Sequence, residues 1–173
     1  INYPRFGHHN YDEMDDYIPW LRLRAGADAD YFAHGVHCNS YVARPWDREE
    51  NLHPTNWLTQ QAVEFIHRRD PRKPFFLYLS YHRPHPPYDP PGWALDQYLR
   101  ADMPPVPVGN WEEMLRPYAT PRSHDCAVGP IPEHLLRRAR AGYYGHMTHI
   151  DYQLNRVFFT LKEYDQLDNT YIC

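Results

Sequence analysis

Apolar residues recur at helical spacing in two stretches of the chain. Between Thr55 and His67, residues Leu58, Ala62, Phe65 and Ile66 share one face of a helix, and Thr55 is placed to cap its first turn. Arg68 and Arg69 follow in the last turn, where cations complement the helix dipole, and Asp70-Pro71 ends the pattern. From Pro132 to about Tyr164, residues Leu135, Ala139, Tyr143, His146, Ile150, Leu154, Val157, Phe158 and Leu161 step mostly by three and four. This predicts a much longer helix, with Pro132 in its first turn and with Gly142 and Gly145 expected to bend or interrupt it. Two shorter helices are predicted. One runs over Tyr17–Leu23, capped by Asp15 or Asp16 and stopped by Gly26; the other spans about Trp93–Ala101.

The pattern changes at Pro74-Phe75-Phe76-Leu77-Tyr78-Leu79-Ser80-Tyr81. This run is apolar, aromatic and short, and it predicts a strand buried on both faces. A turn at Asp168-Asn169 precedes Thr170-Tyr171-Ile172-Cys173, which reads as the start of a second strand. Two parallel strands joined by a crossover containing the long helix predict an α/β fold. Residues 27–54 and 102–130 lack periodicity and read as long excursions. The chain starts on Ile and stops as a strand begins, so it is expected to be an internal piece of a longer protein.

Composition narrows the function. At 173 residues, a net charge of −4 and a mean hydropathy of −0.79, the sequence fits a single soluble globular domain. No stretch approaches the 18 or so apolar residues a membrane span needs. A pI near 6.3 argues against a basic nucleic-acid module. Cys38, Cys126 and Cys173 are far apart and form no CxxC pair. They are read as free thiols of a reduced compartment, with one disulfide and a spare thiol as the alternative.

The segment His82-Arg83-Pro84-His85-Pro86-Pro87-Tyr88-Asp89-Pro90-Pro91 is the most unusual in the chain, because half of it is proline and its backbone freedom is small. It is expected to form a stiff loop at the carboxyl end of the strand, where ligands bind in open α/β sheets. Imidazoles of His82 and His85 there could hydrogen-bond an anion or pass a proton, and Arg83 could add an anion contact. A rigid surface turn with solvated histidines fits the same residues. On the long helix, His146 and His149 could share a ligand near Asp151, or simply pack on a helical face. His8-His9 beside Asp12 and Asp15 stands equally open, and Arg137, Arg138 and Arg140 read as a solvated face. The chain carries no GxSxG elbow, phosphate-binding P-loop, GxGxxG fingerprint or HExxH motif.

Taken together, Lys73 through Pro91 resemble the central motif of the sulfatases, members of the alkaline-phosphatase-like superfamily. The block Ala141-Gly-Tyr-Tyr-Gly-His-Met-Thr-His-Ile-Asp151-Tyr-Gln-Leu-Asn155, followed by Asp168–Ile172, resembles the helix and strand that lead into the family's second metal-ligand motif. Trp20–Asp30 and Asn39–Trp46 are similar to a bacterial, arylsulfatase-like branch.

The resemblance implies the central part of an alkaline-phosphatase-like sandwich, a mostly parallel sheet flanked by helices. It also implies hydrolysis of sulfate esters on a small molecule or glycan, through a formylglycine nucleophile and a divalent cation, usually Ca2+. A histidine matching His85 is implied to bind a sulfate oxygen and help protonate the leaving oxygen. Arg83, His82 and Tyr88 would be pocket residues. Neither Cys38 nor Cys126 stands in a Cys/Ser-x-Pro-x-Arg motif, so formylglycine and the Ca2+ ligands are expected outside this segment, and the isolated segment is expected to be inactive and to bind no catalytic metal. A phosphodiesterase or phosphonate monoester hydrolase of the same superfamily, or a non-catalytic homologue, are the competing readings. Neither nucleic acid nor membrane is an expected partner. Cytoplasm, periplasm and lysosome are all represented in the family, and with no signal-peptide pattern in view the cytoplasm is favoured.

Overall fold

The computed structural model describes residues 15–36, 40–118 and 131–173. His8-His9, Asp12, Cys38 and Cys126 lie outside the described residues, so the expectations placed on them have no structural counterpart. The elements in chain order are α1 (Tyr17–Ala25), α2 (Pro54–Arg68), α3 (Gly92–Arg100), the short α4 (Glu112–Leu115) and α5 (Glu133–Glu163). Single 3-10 turns lie at Glu50–Leu52, Arg116–Tyr118 and Leu167–Asn169. The chain forms two compact units. One takes Ile1–Tyr31, Arg48–His82 and Ile150–Cys173, the other Phe32–Asp47 and Arg83–His149. Helix α5 contributes its first half to the second unit and its last half to the first.

In the first unit, the carboxylate of Asp15 accepts the Tyr17 N–H at 2.7 Å, and Gly26 ends α1 at φ 106°, a conformation that favours glycine. Tyr17 is fully buried. Its ring meets the edges of Trp57 and Tyr31 at 5.5 and 6.0 Å, and its hydroxyl donates to the Leu52 carbonyl at 2.8 Å. Helix α2 starts two residues earlier than expected from a Thr55 cap. Pro54 takes the first helical position and the cap is His53, whose Nδ1 accepts the Thr55 N–H at 3.1 Å. Ala62 and Ile66 of α2 pack with Val157 and Leu161 of α5, and Phe75, Leu77, Leu79 and Leu167 close over them.

The predicted strand is where the sequence reading fails. Phe75, Leu77 and Leu79 turn toward this core, while Phe76 and Tyr78 are exposed at 89% and 81%, so the period-2 alternation of a one-sided strand is present. Yet among the described residues neither 74–81 nor 170–173 joins a β-ladder, and Tyr171 is exposed. The expected α/β sandwich with a mostly parallel sheet is therefore corrected: the observed architecture is predominantly helical. The physical reason is that an apolar run sets which side chains face inward, whereas a strand also needs a neighbouring backbone to exchange hydrogen bonds with it. The one β pairing among the described residues is an isolated parallel bridge between Ala43 and Tyr88.

That bridge belongs to the second unit. The N–H groups of Arg44 and Trp46 donate to the carbonyls of Tyr88 and Pro90 at 3.0 and 2.9 Å. A parallel ladder alternates donation with acceptance, and Pro90 has no N–H to return, so the pairing stops there. Helix α5 runs through Gly142 and Gly145 without interruption. The glycines permit close approach instead. A Cβ at Gly142 would stand 2.8 Å from the Tyr88 Cβ and 2.9 Å from the Ala43 Cβ. At Gly145 it would stand 3.0 Å from Pro90 Cγ and 3.2 Å from the Ala94 backbone. The α5 arginines, expected as a solvated face, also reach backbone carbonyls, with Arg137 itself exposed. Arg137 donates to the carbonyls of Leu99 and Ala101 at 3.3 and 2.9 Å, at the end of α3, and Arg138 donates to the Ala43 carbonyl at 2.7 Å.

Candidate functional site

The proline-rich loop is built around one carboxylate. Asp89 is fully buried, and the guanidinium of Arg83, six residues earlier, grips it. Arg83 Nε donates to Asp89 Oδ1 at 2.9 Å, and Nη2 donates to Oδ1 at 2.6 Å and Oδ2 at 2.9 Å. Isolated burial of either charge would be prohibitive, so the pair needs its remaining lone pairs satisfied. Two histidines close around it. His34 Nδ1 accepts the Val36 N–H at 3.0 Å, so its proton sits on Nε2, which donates to Asp89 Oδ2 at 3.0 Å. His146, fully buried on α5, brings Nε2 to 3.1 Å from the Pro87 carbonyl and 3.3 Å from Asp89 Oδ1.

The Asp89 N–H lies 3.0 Å from that same Nε2 and also 3.1 Å from the Pro87 carbonyl. A lone pair on Nε2 would face a carbonyl and a carboxylate, both of them acceptors. A proton there would in turn face the Asp89 N–H, which is shared between Nε2 and the Pro87 carbonyl, so this nitrogen is the crowded corner of the network. Burial pushes the His146 pKa below its usual 6.5, and the neighbouring Asp89 carboxylate offsets only part of that.

His85 sits inside the loop that the Arg83–Asp89 pair closes, and it is exposed. Its Nδ1 lies 2.9 Å from the Pro86 carbonyl. A carbonyl only accepts, so Nδ1 carries a proton in this bond. The peptide bonds Arg83–Pro84 and Pro86–Pro87 are both cis.

The other predicted site residues stand as follows. Arg83 is buried in the ion pair. Tyr88 is half-buried and bridged to Ala43, with its phenol pKa raised by burial and, to a lesser extent, by Tyr143. His82 is half-buried and falls in the first unit, whereas Arg83, His85 and Tyr88 fall in the second. His146 belongs to the carboxylate network, and His149 is buried against the edge of Trp93 at 6.4 Å between ring centres.

Asp89 and His34 are the residues that the sequence reading passed over. Asp89 carried a usable signal, an acid six residues after a base across a proline-stiffened loop. His34 lies 55 positions away and had none.

The sulfatase family profile matches residues 6–173. An arylsulfatase of Clostridium perfringens (strain 13 / Type A) is 44% identical over 159 residues, covering 92% of this chain and 33% of its own length. The multifunctional alkaline phosphatase superfamily protein PehA of Trinickia caryophylli is 32% identical over 179 residues, covering 92% of this chain and 35% of its own. Mouse iduronate 2-sulfatase is 27% identical over 141 residues, covering 73% of this chain and 25% of its own. The chain belongs to the sulfatase family, within the alkaline-phosphatase superfamily of hydrolases. It spans about a third of the length of the first two relatives. No helix among the described residues is long and apolar enough to cross a membrane.

Proposed function

We propose that this chain is the section of a sulfate-ester hydrolase that presents His85 to the substrate. The observation that carries the reading is the bond from Nδ1 of His85 to the Pro86 carbonyl, in a loop closed by a buried ion pair. It holds the ring by Nδ1. In this reading, Nε2–H donates to a sulfate oxygen and then gives its proton to the ester oxygen as the S–O bond breaks. The substrate is a sulfated small molecule or glycan. Family membership and the 44% identical arylsulfatase support the sulfate ester.

Formylglycine and Ca2+ belong, in this reading, to segments outside this chain. The loop does not fit Ca2+, which takes six to eight oxygen ligands. It offers ring nitrogens and a single carboxylate, Asp89, whose two oxygens already accept N–H groups. No step is therefore assigned to a metal at this loop.

The test is His85→Ala in the full-length enzyme, assayed on an aryl sulfate. A loss of about 100-fold or more in kcat is expected from removal of a proton donor. Unchanged turnover would refute the role. The relationship to a protein named as a multifunctional superfamily member favours one second reading, a phosphate or phosphonate ester as substrate. The kcat/KM values for matched sulfate and phosphate esters decide between the two.

A further inference from the structure

Resting on the reading of His85 as proton donor, we propose that Asp89 is a positioning residue for that histidine, acting through Arg83 and anchored by His34 and His146. The loop from Arg83 to Asp89 is fastened at both ends by one bidentate contact, at 2.6 to 2.9 Å. Between those ends, Pro84, Pro86 and Pro87 remove most of the backbone freedom. A loop this stiff moves as a body, so where its ends are held decides where His85 stands.

Asp89 is held in turn from two other parts of the second unit, by His34 at 3.0 Å and by His146 at 3.3 Å. The carbonyls on either side of it accept from Arg44 and Trp46. Neutralising this carboxylate loosens Arg83 and both histidines together while leaving the His85 side chain untouched. Proton transfer to a departing oxygen is steep in distance, and a displacement of about 1 Å reduces rate by roughly 100-fold.

The consequence depends on the leaving group, which separates positioning from mere folding. A 4-nitrophenolate leaves without a proton, whereas an alkyl or unsubstituted phenyl oxygen needs one. The experiment measures kcat for 4-nitrophenyl sulfate and phenyl sulfate in the full-length enzyme and its Asp89→Asn, His85→Ala and doubly substituted variants. Asp89→Asn is expected to lower kcat on phenyl sulfate by about 100-fold and on 4-nitrophenyl sulfate by only a few-fold, with KM little changed on either. In the His85→Ala background, Asp89→Asn should add less than about threefold, because the group it positions is gone.

Equal losses on both substrates, or losses that multiply in the double variant, would overturn the positioning role while leaving His85 as donor. If His85→Ala itself shows no dependence on leaving group, the reading of His85 falls and the positioning role with it. Should Asp89→Asn not accumulate as folded protein, Arg83→Lys carries the same test. It keeps the charge but loses the planar fork, and the same leaving-group-dependent loss is expected at about tenfold. A uniform loss in Arg83→Lys would overturn the proposal equally.

Discussion

Gly142 sits inside α5 with one face against the loop and the 43–46 segment, and Gly142→Ala sets two effects against each other. Helix propensity alone favours alanine by about 1 kcal/mol. The added Cβ would stand 2.8 Å from the Tyr88 Cβ and 2.9 Å from the Ala43 Cβ. Favourable carbon–carbon contact begins at about 3.5 Å, so each approach is too close by roughly 0.6 Å or more. Both neighbours are Cβ atoms, which no rotamer change moves, so the backbone of α5 or of both facing segments must yield. Overpacking of this kind costs about 1–3 kcal/mol, and the rigidity of the two neighbours places Gly142 in the upper half of that range. The net expectation is a loss of about 1–2 kcal/mol.

Urea denaturation of the full-length enzyme measures it, as a lowered midpoint with an unchanged slope. Gly145→Ala is the internal comparison. Its nearest atom is the ring carbon Pro90 Cγ at 3.0 Å, which repuckering can withdraw, and the Ala94 backbone at 3.2 Å must give by only a few tenths of an ångström, so this cost and the helix-propensity gain should offset to within about 1 kcal/mol of zero. A midpoint for Gly142→Ala above that of the parent would refute the close-approach argument and leave helix propensity in control.

The buried pair gives a second expectation. Asp89→Ala should cost about 3–5 kcal/mol because it strands the Arg83 charge, whereas replacing both, Arg83→Met with Asp89→Leu, should cost less; unfolding midpoints of the two variants compare them. His146 gives a pH dependence. Its folded pKa is depressed below 6.5, so below about pH 6.5 the unfolded chain binds a proton that the folded chain refuses. Its contribution is complete above pH 6.5 and is lost as the pH falls toward the folded pKa, at up to about 1.4 kcal/mol per pH unit. His146→Gln should flatten that slope in a pH series of denaturation curves, and an unchanged slope would contradict the assignment. Tyr81 gives a smaller effect. Thr59 Oγ1 donates to the Thr55 carbonyl at 2.9 Å, so the Tyr81 hydroxyl at 2.8 Å is the donor to Thr59. Tyr81→Phe should therefore lower stability by only about 1 kcal/mol, measured in the same urea assay.

Most helices were legible because their signals are local. The three-and-four spacing along α2 and α5, Gly26 after α1 and Pro132 before α5 act within a turn or two of the backbone they govern. Even so, the cap of α2 was missed. Histidine is a rare cap, and only the position of the His53 ring shows its Nδ1 taking the Thr55 N–H. The apolar run at 74–81 showed which side chains face the core but could not show whether a neighbouring backbone lies beside it, since ladder bonds are made with residues distant in sequence.

The candidate site divides in the same way. By itself, the sequence determined the stiffness of the loop from its prolines, the presence of His85 within it and the family to which the motif is similar. Only the tertiary structure decided that Arg83 faces a buried Asp89 rather than solvent, and that His34 and His146 close around it. It also decided that Gly142 and Gly145 are seats for the loop and not breaks in the helix. The reason is that charge pairing and close packing depend on distances between residues about 55 to 57 positions apart, as His34 and His146 are from Asp89, which no local pattern in the chain encodes.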